Sequence, residues 1–404
     1  MTCIMFLVYT IVTHYQYLLL SMTHDYNKEA LELHALHHGK IELTTKVPMN
    51  DKDDLSRAYT PGVAEVCKEI SRDNTLAREY TLKRNTVAII TDGSAILGLG
   101  NLGALSAIPV MEGKAAILKS FAGVDGFPIC LDTQDTEEII KAVKQIAPVF
   151  GAVNLEDIAA PRCFEIEERL RKELSIPVMH DDQWGTATVV LGGLINALKV
   201  TGRGEGKDAK IVVNGVGSAG VATSRLLLAY GFTNIVFCDS KGIIHTGREE
   251  LNKEKIELIT KSVLKGSDGT LVDAIVGADV FIGVSKAGAL TIDMAKSMNK
   301  DGIVFALANP VPEIMPDVAR EAGISVIATG RSDFPNQLNN SLIFPGLFKG
   351  VLETNIKQFE IGMFTRAALA LAGHVHEPTR EMILPTMFDK ELVDVIAKTV
   401  TTTE

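Results

Sequence analysis

Short apolar runs rich in β-branched residues recur along the chain, most of them in its second half. They are Thr86 to Thr91 (TVAIIT), Lys210 to Asn214 (KIVVN), Asn234 to Cys238 (NIVFC), Asp279 to Gly283 (DVFIG), Ile303 to Leu307 (IVFAL) and Ser325 to Ala328 (SVIA). Helical periodicity fills the gaps, for example at Ala219 to Tyr230 and Glu254 to Leu264. Strand, helix, strand at this spacing requires parallel pairing with crossover helices on both faces, so the pattern predicts an α/β protein whose second half is a doubly wound parallel sheet. After Phe348 the pattern turns helical through FKGVLETNIKQFEIGMFTRAALALAGHV, and a last helix is expected near Lys390 to Thr399. The change from the first to the second pattern places a domain boundary between residues 160 and 185.

The spacing G-x-G-x-x-G occurs twice, as Gly98, Gly100 and Gly103 (GLGNLG) and as Gly215, Gly217 and Gly220 (GVGSAG). Dinucleotide binding needs these glycines directly after a strand and directly before a helix whose first amides face the pyrophosphate. GVGSAG meets that condition, because KIVVN runs into Gly215 and helix formers come after Gly220. Gly215, Val216, Gly217, Ser218 and Gly220 are therefore the cofactor-binding candidates. GLGNLG does not meet it: Thr91 to Leu97 separate it from its strand, and Pro109 is expected to interrupt the next helix. The first motif is read instead as a loop lining a site. NIVFC leads into Asp239, close to the usual spacing of about 20 residues for a ribose-binding acid. Asp239 favours NAD, whereas the neighbouring Ser240 and Lys241 leave NADP open.

Composition narrows the class. A chain of 404 residues exceeds one ordinary core and fits two domains, and 46% hydrophobic with 22% charged residues is the balance of a globular protein. The net charge of -10, without a Lys and Arg run, argues against nucleic acid and for a small-molecule partner. Cys3, Cys67, Cys130, Cys163 and Cys238 are scattered without C-x-x-C spacing, which fits a reducing cytoplasm. Met1 to Met22 contains no charged residue, yet it lacks a signal peptide's basic start and cleavage site, and His14, Gln16, three Thr and three Tyr dilute it as a membrane span. It is read as an atypical extension over residues 1–21, with Met22 as the functional start and no membrane anchor.

Two acid pairs sit beside apolar segments, Glu156 and Asp157 in NLEDI and Asp181 and Asp182 in HDDQWGTA. A hard cation such as Mg²⁺ or Mn²⁺ would compensate them. The alternative is that Asp181 or Asp182 caps the helix formed by GTATVVLGGLINALK and that Glu156 is solvated. His34, His37 and His38, and His374 and His376, have helix-face spacing for a metal but read as exposed surface.

AYTPGVAEV (Ala58 to Val66), ILGLGNLG (Ile96 to Gly103), MEGKA, NLEDI, HDDQWGTA, GVGSAG, ALANP and NNSLIFPG, in this order, resemble the malic enzymes in their short bacterial-type form. The resemblance spans Ala58 to Gly346. It implies an N-terminal α/β catalytic domain over 22–170 and a Rossmann-type NAD(P)-binding domain with C-terminal helices over 171–404, and the chain length past IFPG fits the form without a further fused domain. It also implies oxidative decarboxylation of L-malate to pyruvate and CO₂ with reduction of NAD(P), Mg²⁺ or Mn²⁺ dependence, and a homodimer. By matching motifs, Tyr59 is the general acid and Lys114 the general base, with a lysine pKa lowered by the nearby cation. Glu156, Asp157 and Asp182 are the metal ligands with Asp181 beside them, Asn309 lies near nicotinamide and substrate, and Asn340, next to Asn339, meets a substrate carboxylate. Without the resemblance, Tyr59 would only pack on its Thr-Pro-Gly turn, Lys114 would be solvated at a helix start, and Asn340 would cap a turn. The chain departs from longer members in carrying Ser94 and Ala95 where they have an Arg, and Trp184 puts a large ring beside the expected metal. The rival readings are a malolactic enzyme that releases lactate and a dinucleotide sensor without chemistry.

Overall fold

The computed structural model describes residues 25–264 and 267–401, so the readings of Met1 to Met22, of a start at Met22 and of Cys3 lie outside the described residues. The first compact unit ends at Thr44. Within it, helix α1 (Tyr26–His37) starts where the Asp25 carboxylate accepts from the amides of Asn27 and Lys28, and it ends at His38 in the left-handed conformation. His37 and His38 are exposed and His34 half-buried. No helix among the described residues is long and apolar enough to cross a membrane.

The second unit begins at Thr45 with two short helices, α2 (Lys52–Ala58) and α3 (Val63–Arg72). Its first sheet is built from β1 (Thr86–Thr91), helix α4 (Ala104–Ala122), β2 (Asp125–Cys130), α5 (Thr136–Ile146), β3 (Ala152–Leu155), α6 (Arg162–Glu173) and β4 (Val178–His180). All pairs are parallel in the order β2-β1-β3-β4. Only β1 of these strands stands out in the sequence: β2 contains Gly126 and Pro128, and β3 and β4 are four and three residues long. Helix α4 runs through Pro109, contrary to the expected break. The ring sits in the second turn, and the apolar residues Ala107, Met111, Ala115 and Leu118 hold the helix on the sheet.

Helix α7 (Asp181–Val200) starts on the residue after β4, and its Val189, Val190, Leu191, Leu194, Ala197 and Leu198 are all buried. Burial of each large aliphatic side chain contributes roughly 1.5–3 kcal/mol. The second sheet is built from β5 (Ile211–Asn214), α8 (Ser218–Tyr230), β6 (Ile235–Asp239), β7 (Gly242–Ile243), α9 (Lys253–Lys261), β8 (Val280–Gly283), β9 (Ile303–Ala306) and β10 (Val326–Thr329). Its order is β10-β9-β8-β5-β6-β7, parallel except for the short β6-β7 pair. The doubly wound sheet is thus present, and its order reverses between β5 and β8, the place where such sheets bind ligands. Three helices close the chain, α10 (Phe344–Thr354), α11 (Ile361–Gly373) and α12 (Leu392–Lys398). The long helical stretch expected after Phe348 is broken at Asn355, which takes the left-handed conformation that ends α10. Helix α7 packs between α8 and α11, and Gly192 lets it approach the Ala368 carbonyl, 3.1 Å from where a Cβ would stand.

Candidate active site

The carboxyl end of the first sheet gathers charge. Glu156 and Asp157 come directly after β3, Asp182 is the second residue of α7, and their oxygens lie within 4.8 Å of one another. Asp157 is held at φ 53, a conformation that L residues adopt at a cost of about 1–2 kcal/mol, which fixes the direction of its carboxylate. Its amide donates to Asp182 Oδ2 at 2.9 Å, and the Asn154 amide nitrogen donates to Glu156 Oε2 at 3.1 Å. Neither Asp181 nor Asp182 caps α7; the N-cap is His180, without a side-chain bond to the helix.

Lys114 is buried in the middle of α4 rather than solvated at its start. Its ammonium pairs with Glu156 Oε1 at 2.9 Å and with Asp181 Oδ2, and it lies 4.6 Å from the centre of the Phe344 ring. Burial alone would lower its pKa, yet the combined charges of Asp181, Glu156 and Asp182 push it above the ordinary lysine value. In the protein's own field Lys114 is therefore a cation, because three carboxylates face it; the lowered pKa expected of it belongs to the site with a metal bound. Burial and like-charge repulsion raise Glu156 well above its usual value, and burial together with the Asp182 charge pushes Asp157 up to about 7. Asp157 Oδ2 and Asp181 Oδ1 have no hydrogen-bond partner among the described residues. A buried group of oxygen donors that repel one another and leave an orphaned carboxylate atom fits a hard divalent cation.

Glycines draw the remaining pieces together. A Cβ on Gly185 would stand 1.9 Å from Asp181 Oδ1 and 2.9 Å from Asn340 Cβ, so the bare helix turn lets both approach. Asn339, not Asn340, caps the short turn there by accepting from the Ser341 amide. A Cβ on Gly98 would stand 2.3 Å from the Asn309 carbonyl oxygen, which places the first glycine motif against the loop after β9. Tyr59 is 65% exposed at the end of α2. Trp184, expected beside the metal, turns into the core, stacks on Phe364 at 4.8 Å and donates its indole N–H to Glu167 at 3.2 Å. His374 pairs with Asp389, and His376 is exposed.

At the second sheet, Gly215 takes φ 105 directly after β5, and a Cβ on Gly220 would stand 1.8 Å from the Gly215 carbonyl oxygen. Only glycine permits this tight strand-to-helix turn, and Gly217 is the N-cap of α8, with no side chain capping its first amides. Val216 is buried, and the Ser218 hydroxyl lies buried next to the Cys163 thiol. Asp239 ends β6 as expected, and its carboxylate is already paired. Arg248 donates to both its oxygens at 2.9 and 3.1 Å, Lys255 donates at 2.7 Å and the Lys241 amide at 2.9 Å, holding the carboxyl down at about 2 against the cost of burial.

Sequence reasoning missed three buried acids. Glu167 accepts from the His180 amide at 3.1 Å and from Trp184, and burial pushes it up to about 7. Its position could have been found, since Cys163, Phe164, Glu167 and Leu170 form one apolar stripe of α6. Asp92 accepts from the Ser94 amide and hydroxyl and from Arg162 Nε and Nη2 at 3.1 and 2.8 Å, so Arg162 is the cation that braces the loop of Ser94 and Ala95. Glu313 is fully buried under the loops after β8 and β9, and no local pattern announces it.

The family model for the malic enzyme N-terminal domain matches residues 38–171, and that for the malic enzyme NAD binding domain matches residues 184–403. The chain is 54% identical to the bifunctional malic/malolactic enzyme of Bacillus subtilis over 92% of each chain. It is 45% identical to the NADP-dependent malic enzyme of Halomonas elongata, over 92% of this chain and 87% of that one. Among solved structures, the NAD-dependent malic enzyme of Thermotoga maritima superposes with a TM-score of 0.88 at 46% identity, covering 92% of this chain and 98% of that one. On its two glycine turns, its acid cluster and these matches, the chain belongs to the malic enzyme family.

Proposed function

We propose that this chain oxidises and decarboxylates L-malate to pyruvate and CO₂ with reduction of NAD or NADP. The observation that carries the reading is the buried group of Glu156, Asp157 and Asp182 beside Lys114, at the edge of the sheet whose glycine loop abuts Asn309. Glu156, Asp157 and Asp182 would hold Mg²⁺ or Mn²⁺, and the turn from Gly215 to Gly220 with Ser218 would hold the dinucleotide. When bound, the cation supplies positive charge that polarises the C2 oxygen and steadies the electron pair left by CO₂, while nicotinamide takes up the C2 hydride.

The chain's own groups do the rest. With the charges of Glu156 and Asp182 compensated, Lys114 would give up its own proton to solvent and, as the neutral amine, receive the C2 hydroxyl proton, while Asp181 keeps its nitrogen aimed at the cluster. Asn340 and Asn309 orient the substrate carboxylates, and Arg162 braces the Ser94 loop through Asp92. Tyr59, exposed at the end of α2, is the proton donor to C3 of the enol on the strength of the AYTPGVAEV resemblance alone, and its delivery completes pyruvate.

Both dinucleotides are proposed as substrates. Asp239 is committed to Arg248 and Lys255, so its charge does not repel a 2'-phosphate, and Lys241 with Ser240 stands at the same strand end. A second reading, release of lactate with the dinucleotide retained, is supported by the similarity to the bifunctional malic/malolactic enzyme of Bacillus subtilis. A homodimer is supported by the exposed Leu97, Leu99, Leu102 and Leu105, and a reducing cytoplasm by the free Cys67, Cys130, Cys163 and Cys238.

The test is absorbance at 340 nm with L-malate, Mn²⁺ and either dinucleotide, with pyruvate and lactate assayed in parallel. Metal-dependent reduction matched by pyruvate is expected. Lactate without net reduction would favour the second reading, and no product at all would remove both.

A further inference from the structure

Two strand ends of the second sheet meet on one carboxylate, and a third reaches it through Ser285. Glu313 Oε1 accepts from the Ser285 amide at 2.8 Å and from the Ser285 hydroxyl at 3.3 Å, just past β8. Its Oε2 accepts from the Ala308 amide at 3.0 Å, one residue before Asn309. The Ser285 hydroxyl in turn accepts from the Asn214 side-chain amide at 2.9 Å, and Asn214 is the residue before Gly215. The backbone repeats the connection, since the Val284 amide donates to the Asn214 carbonyl at 2.9 Å and the Leu290 amide to the Glu313 carbonyl at 3.1 Å.

The space around this carboxylate is made for it. A Cβ on Gly283 would stand 2.5 Å from Glu313 Cδ, and one on Gly215 would stand 2.5 Å from the Val284 carbonyl oxygen. Glu313 is fully buried, so its carboxylate has protein donors in place of water. An acceptor-only group suits the position, because backbone amides point at both oxygens and a donor on either side would face another donor.

We infer that Glu313 is the positioning residue for the dinucleotide: through the Ser285 and Ala308 amides it holds the Asn214–Gly215 turn and Asn309 in one fixed arrangement. It touches no reactant. The inference rests on the reading of GVGSAG as the dinucleotide turn, and it adds a residue outside that motif on which cofactor affinity depends. A group that only supported the core would change melting temperature and leave dinucleotide affinity, measured on the folded protein, where it was.

The experiment compares the full chain with Glu313→Gln, which keeps the size and replaces one acceptor by a donor. Readouts are the dissociation constant of NADH and NADPH by nicotinamide fluorescence without malate, KM for dinucleotide and for malate, Mn²⁺ affinity by paramagnetic resonance, and thermal melting. The expected result is a folded variant whose dinucleotide dissociation constant and KM rise about tenfold or more, with Mn²⁺ affinity unchanged and KM for malate rising less. Unchanged dinucleotide affinity in a folded Glu313→Gln protein overturns the inference, whatever happens to its melting temperature. If Glu313→Gln does not fold, Ser285→Ala removes only the hydroxyl link from Asn214. A rise of severalfold in the NADH dissociation constant then supports the inference, and no rise overturns it. Failure of the unmodified chain to bind either dinucleotide would instead strike the reading of GVGSAG.

Discussion

GLGNLG and GVGSAG share a spacing and are built for opposite purposes. At GVGSAG the turn itself is backbone against backbone, braced from beneath by Glu313 and Ser285: Gly220 presses on the Gly215 carbonyl, and α8 offers its first amides uncapped. At GLGNLG the glycines bend a loop over a charged floor, where the Ala95 amide donates to the Asp157 carbonyl at 2.9 Å and Gly98 abuts Asn309. The first edge turns acidic side chains toward its ligand and the second turns peptide amides. A glycine pattern therefore specifies a tight turn, and the elements on either side of the turn decide its ligand.

Four measurements would break or sharpen that contrast. The largest effect is expected at the charged edge: Lys114→Met lowers turnover by about 10²- to 10⁴-fold, the range for loss of a general base, while the NADH dissociation constant stays within about twofold. Equal loss of both would mean that the two edges are not separable. The next is pH dependence. Glu167 is raised from 4.5 to about 7, chiefly by burial, against the opposing pull of Arg171, the His180 amide, the Trp184 indole and Arg225. The folded chain thus binds this proton more tightly than the unfolded one. Its contribution, on the order of 3 kcal/mol, is complete below the unfolded pKa and is lost as pH rises through about 7. Thermal melting across that window should fall with pH in the parent and fall less steeply in Glu167→Gln, where Glu156 and Asp157 still titrate; parallel curves would count against it.

Smaller effects belong to the backbone-built edge. Gly220→Ala forces a Cβ into the Gly215 carbonyl, and overpacking of roughly 1–3 kcal/mol weakens dinucleotide binding by about 10- to 100-fold, read by fluorescence titration. The smallest is Gly100→Ala in the other motif. No atom lies within 4 Å of its Cβ position, so only the cost of φ 92 remains, about 1–2 kcal/mol in denaturant unfolding, with dinucleotide affinity unchanged. A loss of NADH binding there would show that the pattern itself, and not its context, recruits the cofactor.

Much of this contrast is legible in the residues. The doubly wound sheet is readable from runs such as KIVVN and IVFAL, because strands buried on both faces are apolar throughout, and the strand that feeds Gly215 identifies the dinucleotide turn. The first sheet is harder to read, since Pro128 and Gly126 disguise β2 and β4 is only three residues long. Position along the chain also hides partners. Nothing near Asp239 announces that Arg248 and Lys255, nine and sixteen residues later, will occupy it. Resemblance alone picks out Lys114, yet its protonation depends on Asp181, 67 residues away, and only coordinates bring the two together.

Trp184 is the only tryptophan in the chain, it stacks on Phe364, and it lies two residues from Asp182 on the same helix. Ultraviolet emission therefore reports from a single, known address one half-turn from the acid cluster. Titrating Mn²⁺ or malate against that emission tracks events at the start of α7 without any label, and stopped-flow recording of the same signal puts them on a clock.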